Sequence, residues 1–133
     1  MTTRPSLLLM LLLMALLGCQ TAPAASAVTG TLQITAVAGP VCPVEQIPPD
    51  PGCAPRPVAD ATVLVQPGDG RDVVVATLVT DADGTARAEL PPGDYIVIGA
   101  DVDGLMGSPE PARVTVQANG LVNVDLAWDT GIR

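Results

Sequence analysis

The pattern that most constrains this fold is the regular return of turn residues between short runs rich in Val, Ile and Thr. No stretch between these turns has the pattern of a helix, and short β-branched runs bounded by Gly, Pro and Asp are typical of strands in a sandwich or small barrel. The sequence therefore predicts an all-β domain. The turns are Pro67-Gly68-Asp69-Gly70, Asp81-Ala82-Asp83-Gly84, Pro91-Pro92-Gly93, Asp101-Val102-Asp103-Gly104 and Asn119-Gly120.

The runs between the turns predict seven strands, arranged as an antiparallel, seven-stranded β-sandwich. Apolar and polar side chains alternate over residues 28–36, so one face of this strand is expected to be buried. Residues 73–80 are a continuous apolar run and are predicted to form a central strand. Residues 113–117 and 121–127, joined by Asn119-Gly120, are predicted to form a final hairpin. The other predicted strands are 61–65, 85–90 and 94–100.

The beginning of the chain has the pattern of a bacterial lipoprotein signal. An apolar run from Leu7 to Leu17 follows a short start with one positive charge at Arg4. Because a spanning helix needs about 20 apolar residues, this run instead indicates a cleaved signal peptide over residues 1–18. It ends in Leu16-Leu17-Gly18-Cys19, which resembles a lipobox, so Cys19 is predicted to be acylated. The alternative is an ordinary signal peptide cut near residues 22–27, without an anchor.

The remaining chain divides into a tether and one domain. Residues 19–27 are predicted to be a lipidated N-terminus and tether, because residues 20–27 are small, polar and uncharged. Residues 28–133 are enough for one modest core and are predicted to be the β-sandwich domain. The lipid would hold this domain at the extracytoplasmic face of the cell membrane.

Composition argues against several classes of function. After Cys19 there are 14 acids and 5 arginines, a charge of about −9, so the domain would repel nucleic acid and would not be drawn to anionic lipid by charge. There is no His and no Lys, and hence no imidazole base and no Schiff-base amine. We therefore expect no enzyme activity and no cofactor, and the membrane would be contacted through the lipid.

Two cysteines remain if Cys19 carries lipid. Cys42 and Cys53 are expected to form a disulfide, as is usual for an even pair in an exported chain, and closure would contribute about 3 kcal/mol. The alternative, a two-cysteine metal site, has no other soft ligand. The pair lies in residues 39–57, which hold seven of the 14 prolines and are predicted to be an irregular loop. This rigid loop is a candidate recognition surface, or else a connection clipped for stability.

Four segments together resemble a known family: Gly30-Thr31-Leu32, Ala61-Thr62-Val63, Thr80-Asp81-Ala82-Asp83-Gly84 and Leu90-Pro91-Pro92-Gly93-Asp94-Tyr95-Ile96-Val97. They resemble the prealbumin-like, carboxypeptidase-regulatory-like β-sandwich domains, relatives of the B repeats of collagen-binding surface proteins, from Val28 to about Ala127. The resemblance implies that the seven-stranded sandwich is of prealbumin-like or Ig-like type. The resemblance implies that Tyr95, following the turn at Gly93, packs into the core and ties a strand corner. Some relatives form isopeptide cross-links through Lys, and the prealbumin-like hydrolases of purine breakdown use His; this chain has neither residue.

Two Asp-x-Asp-Gly stretches raise the question of calcium. Asp81 and Asp83, and then Asp101 and Asp103, resemble the opening of calcium loops, and both loops could lie at one end of a sandwich. No acid closes either loop at EF-hand spacing, and Asp-Gly is also common turn chemistry. The second hypothesis for this chain is accordingly a calcium-responsive surface module that uses these four carboxylates.

The first hypothesis is a non-catalytic, membrane-anchored lipoprotein that acts as an extracytoplasmic binding module or as a structural module of the cell envelope. Its partner would be an unknown protein or envelope component, contacted through the Cys42–Cys53 loop or through other loops at one end of the sandwich. Trp128, which lies beside Asp129 near the end of the sequence, is expected to cap the open end of the core. The alternative for Trp128 is a role as a contact residue.

Overall fold

The computed structural model describes residues 26–133, which form two packed four-stranded β-sheets. The one helical element of this part of the chain is a short 3-10 turn, Pro51–Cys53. The predicted all-β sandwich is thus confirmed, but the described residues contain eight strands. These are β1 Gly30–Gly39, β2 Arg56–Pro57, β3 Thr62–Pro67, β4 Ala76–Val79, β5 Thr85–Leu90, β6 Gly93–Gly99, β7 Ala112–Val116 and β8 Leu121–Asp129.

The first sheet is built around β1, whose buried and half-exposed residues alternate along the whole strand, as its sequence predicts. On one side β8 runs parallel to β1, with residues 121–129 opposite residues 31–39. On the other side β5 runs antiparallel, with residues 85–90 opposite 30–35, and β2 continues this side opposite Val37 and Ala38. The second sheet has the order β4-β3-β6-β7, and each neighbouring pair in it is antiparallel.

The core lies between the two sheets and is made almost entirely of aliphatic side chains. Their small volume is supplemented by the two aromatic residues, Trp128 and Tyr95, which are 1% and 9% exposed. Close packing of the inward-facing residues from both sheets excludes water and supplies most of the stabilisation. The largest fully buried apolar side chains are Trp128, Leu32, Ile34, Leu126, Val63, Val65, Val97 and Val116.

The strand directions define two ends of the sandwich. The proximal end, where β1 begins, carries residues 26–29, 68–75, 91–92 and 117–120. The distal end, where β1 and β8 finish, carries residues 40–55, 80–84, 100–111 and 130–133. Hydrogen bonds within each end confirm the grouping: Asn119 N–H donates to the Thr29 carbonyl over 2.8 Å at the proximal end, and Met106 N–H donates to the Asp129 carbonyl over 2.7 Å at the distal end.

The eighth strand, β2, lies inside the proline-rich stretch in which we predicted only irregular chain. Its two residues, Arg56 and Pro57, pair with Ala38 and Val37 of β1. Proline lacks an N–H and is tolerated in a sheet at an edge position, which is where β2 lies. A strand this short leaves no periodic pattern, so the sequence prediction of seven strands was wrong by one.

Residues 73–80 were predicted to form a central strand, and this is also wrong. Only Ala76–Val79 is a strand, and within residues 26–133 it pairs with β3 alone, at the edge of the second sheet. Val73, Val74 and Val75 are 53%, 45% and 46% exposed. The chain returns to β3 where the Val75 N–H donates to the Val65 carbonyl over 2.8 Å. A continuous apolar run favours a strand, but it does not require that both faces be covered.

The predicted final hairpin does not form, because β7 and β8 belong to different sheets. β7 pairs with β6, whereas β8 crosses over to the first sheet and pairs in parallel with β1. The prediction of a purely antiparallel sandwich is therefore wrong. Asn119, with φ 56°, and Gly120 do make a turn. However, Gly120 accepts from the Thr31 N–H over 2.8 Å, which ties the turn to β1. An Asn-Gly pair favours a tight turn but does not determine which sheet the following strand joins.

Candidate functional site

The predicted disulfide between Cys42 and Cys53 is present and closes the loop that we call the stapled loop, residues 40–55. The sulfur atoms are 2.05 Å apart and the Cα atoms 5.2 Å apart. Both ends of the loop are fixed on the same strand, because β2, which follows the loop, pairs back onto Val37 and Ala38. The disulfide and the two strand ends together restrict this segment, and a preordered loop loses little entropy when it binds a partner.

The 3-10 turn inside the stapled loop is capped by an acidic side chain. The Asp50 carboxylate accepts a hydrogen bond from the Gly52 N–H over 2.8 Å, and Pro51 occupies the start of the turn. These are the residue types that favour a helical start, since Pro has no N–H to leave unpaired and Asp accepts from the free N–H groups. The cap holds the turn next to Cys53 and so shapes the open groove described next.

An open groove of about 500 Å³ lies along the stapled loop. Proline rings form much of its wall, and the two carboxylates of Glu45 and Asp50 supply negative charge. Such a surface offers apolar contact and carboxylate acceptors. The lining residues are Glu45, Gln46, Pro49, Asp50, Pro51, Cys53, Ala54 and Pro55.

Two aliphatic side chains of the stapled loop project into solvent. Ile47 is 99% exposed and Val44 is 69% exposed. Scattered exposed aliphatics are ordinary on protein surfaces, but here they stand on a disulfide-closed loop beside an open groove. Burial of Ile47 against a partner would remove a large apolar side chain from water, which contributes about 1.5–3 kcal/mol for a side chain of this size.

The residues after β8 fasten the beginning of the stapled loop. The Thr130 hydroxyl donates to the Pro40 carbonyl, and the Thr130 N–H donates to the Gly39 carbonyl over 3.2 Å. Arg133 pairs with Asp129 over 2.7 Å. Hydrogen bonds from Arg133 and from the Gly131 N–H lower the pKa of Asp129 from its ordinary 3.8 to about 2. The hydrogen bonds of Thr130 thus hold the end of β1 and the start of the stapled loop, from outside the disulfide.

The first Asp-x-Asp-Gly stretch is a structural turn between β4 and β5. The Asp81 carboxylate accepts from the Asp83 N–H over 3.0 Å, from the Thr85 N–H over 2.8 Å and from the Thr85 hydroxyl over 2.7 Å. The bonds from Thr85, followed by that from Asp83, lower the pKa of Asp81 below its ordinary value. Gly84, at φ 72°, lies so close to the Ala36 carbonyl that a Cβ would be 2.4 Å from its oxygen. The turn therefore needs both Asp81 and Gly84.

The second stretch, Asp101 to Gly104, lies in the long loop between β6 and β7, and both stretches are at the distal end, as the calcium hypothesis requires. Val102 and Leu105 of this loop pack against the core, and the Leu105 N–H donates to the Val102 carbonyl over 3.1 Å. Within residues 26–133, however, no three acidic or cysteine side chains are grouped so that they could hold a metal ion. The structure places Asp81, Asp83, Asp101 and Asp103 at one end without assembling them into such a group.

Tyr95 has the position that the family resemblance implies. Its side chain is 9% exposed, and its hydroxyl donates to the Pro91 carbonyl over 2.7 Å. This bond spans the turn at Pro92 and Gly93, where β6 begins, and joins the strand to the chain that precedes it. Tyr95 thus closes the proximal side of the core and fixes a corner between β5 and β6.

Trp128 caps the opposite end, as expected, and is not available as a contact residue because it is almost fully buried. Its indole N–H donates to the Ala100 carbonyl over 3.0 Å. A Cβ at Gly99 would lie 2.7 Å from the indole ring and 2.6 Å from Pro109, so the glycine allows the loop after β6 to close over the ring. The single tryptophan therefore joins the two sheets beneath the distal loops.

The sequence analysis did not identify Thr80 as important. Among residues 26–133, Thr80 is the polar residue whose side chain is buried. Its hydroxyl donates to the Val58 carbonyl over 2.6 Å and accepts from the Ala61 N–H over 2.9 Å. A lone threonine at the end of an apolar run gives no signal for such a role. In the structure it fixes the chain between β2 and β3, directly behind the stapled loop.

The predicted signal peptide and the lipidation site Cys19 lie outside the described residues. Within residues 26–133, no helix is long and apolar enough to cross a membrane.

The sequence matches no family model and no curated protein. The fold is similar to that of the minor pilin of Streptococcus agalactiae, with a TM-score of 0.58 and 19% identity over 77% of this chain and 45% of the pilin. The shaft pilin SpaA of Lactobacillus rhamnosus gives a TM-score of 0.53 and 18% identity over 75% of this chain and 49% of that one. This chain thus spans about half the length of the pilins that it matches.

A third similar structure is that of a Pseudomonas aeruginosa protein proposed to bind carbohydrate. It gives a TM-score of 0.50 and 16% identity, covering 77% of this chain and 90% of that protein. At these identities the likenesses concern the fold alone. They agree with the sandwich that the sequence resemblance implies.

Proposed function

We propose that this chain is a non-catalytic, lipid-anchored module of the cell envelope that presents the stapled loop to a protein or other envelope partner at the extracytoplasmic face of the membrane. The observation that carries the proposal is that residues 26–29 and the stapled loop lie at opposite ends of β1. A strand of 10 residues is about 33 Å long. An anchor at Cys19 would therefore hold the proximal end near the membrane, and the stapled loop would point away from it.

The chemistry of the described residues supports binding over catalysis. The groove of the stapled loop offers proline rings and two carboxylates, and the chain has neither His nor Lys to activate a nucleophile. Pilins, which share the fold, are surface proteins, and this agrees with an extracytoplasmic module. Together these features favour a role in recognition or in the structure of the envelope.

The anchor is tested by the intact mass of the mature protein from a membrane fraction. We expect a chain that begins at Cys19 and carries added acyl mass, and a gain of about two daltons on reduction of the disulfide, one hydrogen per sulfur. The matched variant Cys19→Ser has no thiol to acylate, so we expect it to be lost from the membrane fraction. An unacylated chain cut within residues 22–27 would contradict the anchor.

The role of the stapled loop is tested separately, by site-specific photo-cross-linking in intact cells. A photoreactive side chain is placed at Ile47, at the distal end, and for comparison at Val28, which is 54% exposed at the proximal end. We expect a cross-linked product of defined mass from position 47 and none of that mass from position 28. No product from position 47, or the same product from both positions, would contradict recognition by this loop and leave it a structural connection.

A further inference from the structure

The edge strand β4, which is four residues long, lacks charged residues and proline, two of the features that normally keep an exposed strand from pairing. The run of residues 73–80 contains no charged residue and no proline. Within residues 26–133, β4 pairs with β3 on one side and has no strand hydrogen-bonded on the other. Natural edge strands are usually protected by charges, proline or bulges, because their free N–H and C=O groups can pair with another chain. The exposed valines next to this free edge make it a site for strand addition.

The opposite edge of the same sheet is formed by β7, which carries features that protect an edge from pairing with another strand. β7 carries the exposed cation of Arg113 and is preceded by Pro111. Its Thr115 hydroxyl donates to the Asp94 carboxylate of the neighbouring strand over 2.6 Å. The two edge strands of this sheet thus differ in charge and proline, two of the features that protect an edge from strand addition.

The outer face of the second sheet continues the apolar surface inward from β4. Leu64, Ile96 and Ile98 alternate with the core residues Val65 and Val97 and so point away from the core. In the register of the sheet, Leu64 lies between Thr77 of β4 and Ile98 of β6. These three side chains are half-exposed, and contiguous apolar patches on soluble domains mark interaction sites.

We propose that β4 pairs antiparallel with β4 of a second copy of this chain, so that two four-stranded sheets become one continuous eight-stranded sheet. The strand is its own complement, because an antiparallel pair about a two-fold axis sets uncharged, β-favouring residues opposite one another. Nothing in the run itself repels an identical copy or requires an opposite charge. The pairing uses up the free edge, and the Arg113 edge stays outside, so association stops at the dimer.

Charge and area determine the strength of this dimer. A strand edge buries only a few hundred Å² per copy, against about 800 Å² per partner in a standard interface, so the dimer is weak and reversible. Each copy carries a charge of −8 by its full sequence, and Asp72 and Asp81 flank the run. Salt shortens the reach of this repulsion from about 30 Å at 0.01 M to about 3 Å at 1 M. Association through β4 therefore becomes stronger as salt is added.

The test is sedimentation equilibrium of the full chain in a mild detergent, over a range of protein and salt concentrations. We expect a monomer–dimer equilibrium whose dissociation constant falls at least several-fold as sodium chloride rises from 0.01 M to 1 M, over the span that changes charge screening. A wild-type chain that stays monomeric at every salt and protein concentration overturns the proposal. So does association that continues beyond the dimer.

Two lysine variants with the same change in charge locate the interface. Thr77 of β4 and Thr115 of β7 are both exposed, at opposite edges of the same sheet. Thr77→Lys should weaken dimerisation at least tenfold, because lysine protects an edge, whereas Thr115→Lys should leave it unchanged. Thermal melting confirms that each variant is folded. Equal loss in both variants, or a dimer that persists in Thr77→Lys, overturns the assignment to β4.

Discussion

The hydroxyl of Thr80 donates a hydrogen bond to the carbonyl oxygen of Val58 over 2.6 Å. Thr80 is 2% exposed, and its oxygen also accepts from the Ala61 N–H over 2.9 Å. One buried side chain thus satisfies two backbone groups of the segment between β2 and β3. Because buried backbone groups must be paired, the position of this segment, and of the stapled loop before it, depends on Thr80.

Replacing Thr80 with Val should destabilise the domain by about 1–3 kcal/mol, because the substitution keeps the shape of the side chain but leaves the Val58 carbonyl and the Ala61 N–H unpaired. Urea denaturation measures the effect. Thr80→Ser, which keeps the hydroxyl, is the control and should retain most of the stability. Equal stability of Thr80→Val and the wild type would show that the two backbone groups find other partners.

Replacing Tyr95 with Phe should cost about 1 kcal/mol, the usual net contribution of a single hydrogen bond. The ring remains packed in the core, and only the bond to the Pro91 carbonyl is lost. Tyr95→Leu removes ring volume as well and should cost more. Chemical denaturation of the two variants separates the corner bond from the packing, and a Phe variant as unstable as the Leu variant would contradict this division.

Removal of the disulfide should lower stability by up to about 3 kcal/mol, through the loop-closure entropy of a link between residues 11 apart in sequence. The sandwich itself should still fold, since the 3-10 turn of the stapled loop contributes no buried residue to the core. Denaturation of the disulfide-bonded wild type and of the double variant Cys42→Ser/Cys53→Ser measures this difference, and the reduced wild type is the control for the double variant. These last two should agree, and a variant that does not fold would show that the loop organises the core.

Acidification should release the pairing of Asp129 with Arg133 only at low pH. The pKa of Asp129 is lowered to about 2, so the contribution of this pair is fully present above the ordinary carboxylate pKa of 3.8 and is lost as the pH falls toward about 2. An NMR titration of the Asp129 side chain should show this low midpoint. In Arg133→Gln the midpoint should rise toward the ordinary value, and an unchanged midpoint would mean that Arg133 is not the cause.

Millimolar calcium should leave the thermal melting temperature of the domain unchanged. The Asp81 carboxylate already accepts three hydrogen bonds within its own turn, and these would have to be given up to a cation. Asp81→Ala should lower the melting temperature without added calcium, since the N–H groups of Asp83 and Thr85 lose their acceptor. A rise in melting temperature with calcium, absent in Asp81→Ala, would instead support the calcium-responsive module.

The sequence predicted the fold class and the local features whose chemistry is short-range. Alternation along β1, the Cys42–Cys53 pair and the burial of Trp128 follow from side-chain type and spacing, whereas the burial of Tyr95 is implied by the family resemblance; each is found in the structure. The prediction failed where the structure depends on contacts between residues that are far apart in the sequence. The parallel pairing of β8 with β1 joins residues about 90 positions apart in sequence, and an Asn-Gly turn fixes only the direction of the next few residues.

The candidate site was predicted in outline only. The proline content and the two cysteines marked the stapled loop, but the anchoring of that loop by Thr130 and its support by Thr80 could not be predicted, because each depends on which carbonyl lies within reach after folding. The exposure of Val73 to Val75 was missed for a similar reason. An apolar run of this kind is expected in a covered strand, and only the strand order of the second sheet reveals that β4 lies at its edge.

The direct succession of β1 and the stapled loop has a mechanical consequence. Residues 26–29 enter β1 at the proximal end, and the loop leaves it at the distal end, so a pull between the two travels through one strand. β1 is already extended and can lengthen little under tension, since consecutive residues are near their maximal spacing. A pull on the start of the stapled loop would therefore be carried to the tether chiefly along β1, with part of it borne by the hydrogen bonds from Thr130 to Gly39 and Pro40.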